Sequence, residues 1–133
     1  MRENWMRMCP LSRAAELGQI NVCKWLHRHG AAADITRGNI FYGSTPMFLA
    51  SKGGHLSVCK WLFEMGAAGT ISEVNHRVET PLLIACKFGH LPVCQWLFEM
   101  GATADITKIT NGGFTPMLVA CMMGHLSVCK WLF

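Results

Sequence analysis

The most constraining feature of this chain is a pattern that recurs four times along it. Each copy begins at a proline, has a glycine eight residues later, and has a Cys-x-Trp-Leu motif whose cysteine follows that glycine by five residues. The prolines are Pro10, Pro46, Pro81 and Pro116, and the glycines are Gly18, Gly54, Gly89 and Gly124, which gives a period of 35 or 36 residues. A fixed period of this size is typical of stacked repeat proteins, in which each unit packs mainly on its neighbours.

Each copy is predicted to contain a pair of short helices. In three copies a threonine before the proline provides a hydroxyl N-cap, and proline suits the first helical position because no N–H is needed there. The glycine accepts the left-handed backbone that ends a helix. The spacing predicts helix pairs near residues 10–28, 46–64, 81–99 and 116–133, with alanine on the inner side of each first helix at Ala14, Ala50, Ala85 and Ala120.

The second helix of each copy is largely apolar, with one narrow polar stripe. In the second copy, where the helix is predicted from His55 to Met65, the stripe consists of Ser57, Lys60 and Glu64. A helix that is polar on one stripe is covered on its other sides, as in a layer within a stack. Helices of this length are marginal in isolation, since about 12–15 residues are needed even for partial stability in water. We therefore expect contacts between units to stabilise them.

The second copy carries the motifs that point to a family. It contains Gly43-Ser44-Thr45-Pro46-Met47, Ala50, Gly54-His55-Leu56, Val58-Cys59-Lys60-Trp61-Leu62 and Gly66-Ala67. This pattern resembles the ankyrin repeat, and its four tandem copies cover nearly the whole chain outside residues 1–8. The resemblance implies an all-α solenoid of stacked helix-turn-helix units joined by long hairpin-like loops. We expect a single domain over residues 1–133, with repeats at about 1–38, 39–73, 74–108 and 109–133, the last of them truncated.

The copies depart from the family pattern at a few positions. The family has a histidine after Thr-Pro-Leu that ties neighbouring loops by hydrogen bonds, whereas this chain has Ser12, Phe48, Leu83 and Leu118 there. Cys9 stands in place of the capping threonine of the first copy, and Val78 stands in place of the loop glycine before Thr80. We expect these departures to alter loop geometry and to leave the fold intact.

Composition and motifs argue against several classes of protein. The chain has no run of 18 uncharged apolar residues, which a membrane-spanning helix would need, and Met1–Pro10 lacks the apolar core of a signal peptide. It also lacks the G-x-S-x-G, P-loop and H-E-x-x-H motifs. We therefore expect an intracellular protein, cytoplasmic or nuclear, with no enzyme activity and no cofactor.

The seven cysteines require an explanation, because in a secreted chain they would suggest disulfides. Four of them are equivalent and lie about 8–10 Å apart in a stack, beyond the Cα separation of about 7 Å that a disulfide tolerates. Within single units Cys86 could meet Cys94, and Cys121 could meet Cys129, but the first two copies have Ala15/Cys23 and Ser51/Cys59 at these sites. The favoured interpretation is seven free thiols packed as small apolar groups.

A metal site is also considered, because a histidine precedes a cysteine by one helical turn in three copies. The pairs are His55/Cys59, His90/Cys94 and His125/Cys129. Zinc requires three or four ligands, and no further ligands accompany these pairs. We therefore expect no bound metal.

The net charge of +4 raises nucleic acid as an alternative partner. Lys24, Lys60 and Lys130 align on the polar stripe of successive second helices, although Gln95 interrupts the row and acidic residues lie beside it. A solvated face is the favoured interpretation, and a nucleic-acid-associated repeat protein that uses this row is the alternative.

The favoured function is a protein-binding scaffold. The resemblance implies that a partner docks on the concave side, formed by the loop tips and the exposed side of the first helices. Aromatic, methionine and arginine side chains are good anchors on such a surface. The predicted partner-binding residues are Phe41, Tyr42, Ser44, Lys52, His76, Arg77, Glu79, Lys87, Phe88, Asn111, Phe114, Met122 and Met123.

The two ends of the sequence also lead to an expectation. The fourth copy stops at Trp131-Leu132-Phe133, before the Gly-Ala that closes the other copies, and no polar cap follows. At the other end Trp5, Met6 and Met8 are expected to cover part of the first copy. We expect the C-terminal face to be covered by further repeats of the same array or by self-association.

Overall fold

The structure is a computed structural model that describes residues 9–133. Within that range the chain forms four consecutive pairs of α-helices and no strand, so the predicted all-α repeat fold is confirmed. The predicted roles of Trp5, Met6 and Met8 lie outside the described residues. The pairs are α1 Pro10–Glu16 with α2 Ile20–Leu26, α3 Pro46–Gly53 with α4 Leu56–Leu62, α5 Pro81–Lys87 with α6 Leu91–Glu99, and α7 Pro116–Met122 with α8 Leu126–Leu132.

The first helices of the last three repeats begin at the predicted threonine caps. The Thr45 hydroxyl oxygen accepts a hydrogen bond from the Phe48 N–H at 3.2 Å, and Thr80 and Thr115 make the equivalent bonds. Each such cap stabilises a helix by about 1 kcal/mol. In the first repeat, Cys9 makes no side-chain cap bond, so α1 lacks this contribution.

Gly54 ends α3 for two separate reasons. Its φ of 73° lies in the left-handed region, which glycine adopts without steric cost. A Cβ at this position would also lie 2.4 Å from the ring of His90, which belongs to the next repeat. The histidine ring of each Gly-His-Leu motif therefore fits only because the preceding repeat has a glycine at the end of its first helix.

The same histidines join successive repeats by hydrogen bonds. The His90 Nε2 donates to the carbonyl of Lys52 at 2.9 Å, and the His125 Nε2 donates to the carbonyl of Lys87 at 2.9 Å. Both carbonyls belong to the last turn of a first helix, where the backbone has no partner within the helix. Each bond therefore satisfies one helix end and connects two repeats.

The second helices of the first two repeats end in a wider turn. α4 spans Leu56–Leu62 and continues into the turn Phe63–Ala67, in which Gly66, with φ of 111°, is the residue that departs from helical backbone angles, so the predicted end near Met65 agrees with the backbone. α2 ends in the same way before the turn His27–Ala31. Short 3₁₀ turns then lead into the loops, at Ala32–Thr36, Ala68–Thr70 and Ala102–Thr107.

Packing between repeats is most extensive along the first helices, where α1 contacts α3, α3 contacts α5 and α5 contacts α7. Ala50, Ala85 and Ala120 are fully buried in this layer, and Ala14 is also buried. Small side chains let helix axes approach closely. The second helices are in less extensive contact. The array therefore curves with its first helices and loops on the inner, concave side.

Edge-to-face aromatic contacts between repeats hold the outer layer, which the second helices form. Each repeat has a ring-bearing side chain two residues after its tryptophan. That ring packs against the tryptophan of the next repeat, with ring centroids 5.5–5.7 Å apart. Such pairs add about 0.5–1.5 kcal/mol to the effect of burial. The pairs are His27 with Trp61, Phe63 with Trp96, and Phe98 with Trp131.

Candidate functional site

Three hairpin-like loops precede α3, α5 and α7, and each is anchored by a polar side chain at its base. The Asn39 Oδ1 accepts hydrogen bonds from the backbone N–H groups of Tyr42 at 3.0 Å and Ser44 at 3.2 Å. Asn75 closes the second loop in the same way, and the Thr110 hydroxyl closes the third. Asparagine and threonine favour such turns because their side chains can bond to nearby backbone groups.

These anchors were not among the residues predicted from sequence. A signal existed, since Asn39, Asn75 and Thr110 each lie six or seven residues before the helix-opening proline. They are polar and uncharged, so they do not share the aromatic or charged character expected of binding anchors. Their role is to hold the loops in one shape.

Neighbouring loops are joined mainly through their backbones. The His76 N–H donates to the carbonyl of Tyr42 at 2.8 Å, and the Asn111 N–H donates to the carbonyl of Arg77 at 3.1 Å. The Asn111 side-chain amide also donates to the carbonyl of His76 at 3.3 Å. These bonds keep the loop tips in register although the family's loop histidine is missing.

Two adjoining pockets lie between the loops and the first helices. One has a volume of about 460 Å³ beside α5 and α7, and the other has a volume of about 400 Å³ beside α3 and α5. They share Arg77, Glu79 and Lys87, so we treat them as one surface and call it the loop groove. All the predicted partner-binding residues except His76 line it: Phe41, Tyr42, Ser44, Lys52, Arg77, Glu79, Lys87, Phe88, Asn111, Phe114, Met122 and Met123.

The part of the loop groove beside α3 and α5 combines cations with aromatic rings. The Arg77 guanidinium lies 4.6 Å from the centroid of the Tyr42 ring, and the ammonium groups of Lys52 and Lys87 each lie 5.9 Å from the Phe88 ring. Contacts of this kind are worth about 0.5–1 kcal/mol at exposed sites. All three cationic side chains also line the loop groove.

The part of the loop groove beside α7 is apolar. Met122 is 62% exposed and Met123 is 51% exposed, and the pocket beneath them is lined by Leu83, Val119 and Phe114. Unbranched methionine side chains adapt to the shape of a bound group, so they suit a surface that accepts a bulky side chain.

A comparison with known protein families agrees with this geometry. The family model described as ankyrin repeats (many copies) matches residues 11–63, 47–98 and 82–133. The chain belongs to the ankyrin-repeat family. Ankyrin repeats are generally protein–protein interaction modules and are typically non-catalytic. No curated protein matches the chain.

Three of the predicted partner-binding residues of this ankyrin array have roles within the loops. Ser44 is only 4% exposed, and its backbone closes the first loop with Asn39. The ring of His76 packs against Gly43 of the preceding loop. Phe114 is half-buried against the core and lies over Gly112 of its own loop. Ser44 and Phe114 therefore offer less surface to a partner than the sequence suggested, whereas His76 stays exposed.

The basic row considered for nucleic acid lies on the outer side of the ankyrin array. Lys60 and Lys130 are exposed, whereas Lys24 is half-buried, and Gln95 is exposed between them. Glu64 and Glu99 are exposed on the same layer, so the charges there are of mixed sign. This arrangement favours a solvated face. No helix within residues 9–133 is long and apolar enough to cross a membrane.

The cysteines are free thiols, and most of them are buried. Burial raises the pKa of Cys23 and of Cys59 to about 11, so both are protonated and unreactive at neutral pH. The expectation that all seven are packed in the core is wrong for Cys121, which is exposed, because no further repeat covers α7 in the described chain. Within residues 9–133 no group of three or more potential ligands could hold a metal ion.

Proposed function

We propose that this ankyrin array is a non-catalytic interaction scaffold whose loop groove binds an extended segment of a partner protein. We further propose that the segment carries an acidic side chain next to a bulky apolar one. The observation that carries the proposal is the change in chemistry along the groove, from cations and aromatic rings beside α3 and α5 to methionines beside α7.

The cations of the loop groove account for the proposed acidic side chain of the partner. Within the described residues, the ion pairs involve Arg13, Arg37 and Lys108, so Lys52 and Lys87 are not paired with a carboxylate of the array. The two ammonium groups flank one ring, Phe88, which is 40% exposed. A partner carboxylate beside either ammonium group would gain a charge-assisted hydrogen bond.

Glu79 and the methionines account for the proposed apolar side chain of the partner. The Glu79 Oε1 accepts a hydrogen bond from the Asn75 amide at 2.9 Å, which holds this carboxylate at the wall between the two pockets. A second acidic group at that point would be repelled, whereas an apolar side chain could enter the pocket under Met122 and Met123. The groove therefore favours a spaced acidic and apolar pair over a uniformly acidic segment.

We also propose an intracellular location. Seven free thiols, four of them fully buried, are compatible with a reducing compartment.

A library of displayed random peptides, selected against the reduced full chain, tests the proposed binding mode. Enriched peptides should contain Asp or Glu near a large apolar residue, and their affinity should be measured by fluorescence polarisation. Lys52→Glu with Lys87→Glu should weaken binding at least tenfold, as expected for two charge-assisted contacts. Phe88→Ala should also weaken it without unfolding the chain.

Matched controls separate the groove from net charge. Lys60→Glu with Lys130→Glu makes the same charge change on the outer face and should leave peptide affinity within about twofold, apart from a small long-range effect. Enrichment of peptides that bind the outer-face variant poorly and the groove variant well would contradict the proposal. Salt-sensitive binding of duplex DNA that needs Lys60 and Lys130 would favour the nucleic-acid alternative.

A further inference from the structure

The tip of the third loop contains the dipeptide Asn111-Gly112. Every other asparagine of the chain is followed by a residue with a side chain. A glycine has no Cβ that would hinder its own backbone nitrogen from approaching the preceding side chain. Both residues of the dipeptide are exposed, so water reaches the tip. The sequence and the exposure together single out Asn111 among the asparagines.

The anchor of the third loop also lacks one bond that the other anchors make. In the second loop the Asn75 Oδ1 accepts a hydrogen bond from the Arg77 N–H at 3.0 Å. The Thr110 hydroxyl has the corresponding place in the third loop, but it accepts from the Phe114 N–H at 3.1 Å and not from Gly112. The Gly112 N–H, which corresponds to the Arg77 N–H, therefore has no acceptor within residues 9–133.

The backbone of the third loop otherwise repeats that of the second. The Thr110 N–H donates to the Phe114 carbonyl at 2.9 Å, and the Thr110 carbonyl accepts from the Gly113 N–H at 3.0 Å. Asn75 makes the same two backbone bonds in the second loop. The difference between these loops is thus the missing anchor bond to Gly112.

The access of water to this tip does not depend on whether another repeat follows. His76 and Arg77 are the corresponding residues of the second loop, and both stay exposed beside the third loop. The Asn111 N–H bonds to the Arg77 carbonyl and not to its N–H. A further loop bound in the same way would use the Gly112 carbonyl and would leave the Gly112 N–H free.

We propose that Asn111 is a site of self-modification, at which the chain converts this asparagine to aspartate and isoaspartate with water as the co-reactant. The Gly112 nitrogen gives its proton to water, attacks the side-chain carbonyl carbon of Asn111 and forms a cyclic imide. The bond from that carbon to the amide nitrogen breaks, and the nitrogen takes a proton from water and leaves as ammonia. Water then opens the imide at either carbonyl. In total, one amide and one water become one carboxylate and one ammonium ion.

The product changes the charge of the loop groove. Asn111 and Arg77 both line its part beside α5 and α7, so a new carboxylate there opposes the positive charge of Arg77. The reaction also removes the amide donor that reaches the His76 carbonyl at 3.3 Å. We expect the modified array to bind acidic peptides more weakly, and this effect rests on the proposed function.

Peptide mass spectrometry of the aged full chain tests the modification without any partner. The purified protein is incubated at neutral and at alkaline pH, digested in mild acid, and analysed for aspartate and isoaspartate at each asparagine. Both products should form faster at Asn111 than at Asn39 and Asn75, and the rate should rise with pH because the attacking nitrogen must lose its proton. Absence of isoaspartate at Asn111, or equal rates at these asparagines, would overturn the proposal.

Thr110→Asn is the matched variant, because it gives the third loop the anchor of the second. Its side-chain oxygen should accept from the Gly112 N–H and slow the reaction about fivefold, as expected when one hydrogen bond must first be broken. Thr110→Ser keeps a hydroxyl anchor and should leave the rate close to that of the parent. Circular dichroism checks that both variants are folded. An unchanged rate in folded Thr110→Asn would show that the free N–H is not the cause.

The effect on binding is measured separately with the acidic peptides. Asn111→Asp represents one product and should weaken their binding at least about twofold. Ser57→Asp adds the same charge on the exposed outer face and should leave the affinity unchanged. Equal affinities of the parent and Asn111→Asp would contradict the effect on the groove. Failure of the parent to bind any acidic peptide would count against the proposed function, whereas the mass spectra would still decide the modification.

Discussion

At the scale of single residues, backbone strain concentrates at Val78. Its φ is 59°, and within residues 9–133 no other non-glycine residue has a positive φ. The equivalent positions in the neighbouring loops are Gly43, with φ of 69°, and Gly113, with φ of 81°. A β-branched residue in this region costs on the order of 1–3 kcal/mol. The hydrogen bond from the Val78 N–H to the Asn75 carbonyl, at 3.0 Å, keeps the turn closed despite that cost.

The first prediction is that Val78→Gly stabilises the array. Removing the side chain releases the steric strain, and the small loss of burial at a half-buried position offsets only part of the gain. We expect the free energy of unfolding to rise by about 1 kcal/mol in urea titrations.

Gly113→Val is the matched reverse change. A Cβ added at Gly113 meets no atom within 4 Å, so the Cβ itself clashes with nothing and backbone strain should dominate the loss of stability. We expect destabilisation by about 1–2 kcal/mol. A Val78→Gly variant that unfolds at lower urea than the parent would refute the strain argument.

The second prediction compares two tryptophans of the repeated Cys-x-Trp-Leu motif. Trp61 is 8% exposed and contacts His27 of the preceding repeat, whereas Trp25 is 57% exposed. Trp61→Ala should destabilise the array by about 3–5 kcal/mol, because it leaves a cavity in the stack. Trp25→Ala should cost less than about 1 kcal/mol. Equal losses in thermal or chemical denaturation would show that the motif, and not burial, sets the effect.

At the scale of elements, the repeats are joined by a row of three histidines. The ring of each histidine packs against the glycine that ends the first helix of the preceding repeat; the three are His55, His90 and His125. Burial lowers the pKa of His90; the bond to the Lys52 carbonyl opposes this shift, and the neighbouring histidines of the row add to it. The row is therefore most stable when its central histidine is neutral.

The third prediction is a loss of stability on acidification. A histidine whose pKa is lowered in the folded state binds its proton more readily in the unfolded chain, so its contribution is complete above about pH 6.5 and falls at lower pH. The melting temperature of the parent should decrease as pH falls from about 7.5 to about 5.5. His90→Gln should make this decrease smaller, and glutamine is acceptable because Gln19 occupies the position in the first repeat.

His29→Gln is the control for this measurement. His29 is exposed, outside the row, and stacks on Trp25. It should leave the pH dependence close to that of the parent. A His90→Gln variant with an unchanged pH dependence would exclude His90 as the cause.

At the scale of the whole molecule, the stack presents an apolar face at α7 and α8. Leu118 is 43% exposed, whereas its counterpart in the third repeat, Leu83, is 3% exposed. Leu126 is 64% exposed, and a Cβ on Gly124 would meet no atom within 4 Å, although the equivalent glycines are covered by histidine rings. Within the described chain these side chains form an unpartnered apolar surface.

The fourth prediction is that the described chain associates through this face. Sedimentation velocity over a range of concentrations should show reversible association, and Leu126→Lys should weaken it because a charge must then be buried. Met100→Lys introduces the same charge at a residue that is 38% exposed elsewhere and should leave association unchanged. A parent chain that stays monomeric at every concentration would contradict the expectation.

The sequence by itself determined the local features of this ankyrin array. The helix pairs, the threonine caps and the left-handed glycines were predictable, because each depends on a few neighbouring residues such as Thr45, Pro46 and Gly54. The residues of the loop groove could also be chosen from the repeat register.

Only the tertiary structure decided which equivalent residues are accessible. Cys94 and Cys129 share one motif, as do Trp61 and Trp25, yet their exposure differs because burial depends on whether a neighbouring repeat covers them. The joining of the loops through backbone groups was equally invisible in the pattern, since any residue can supply an N–H or a carbonyl. Local propensity specifies each repeat, and the contacts of the stack specify which of its side chains meet solvent.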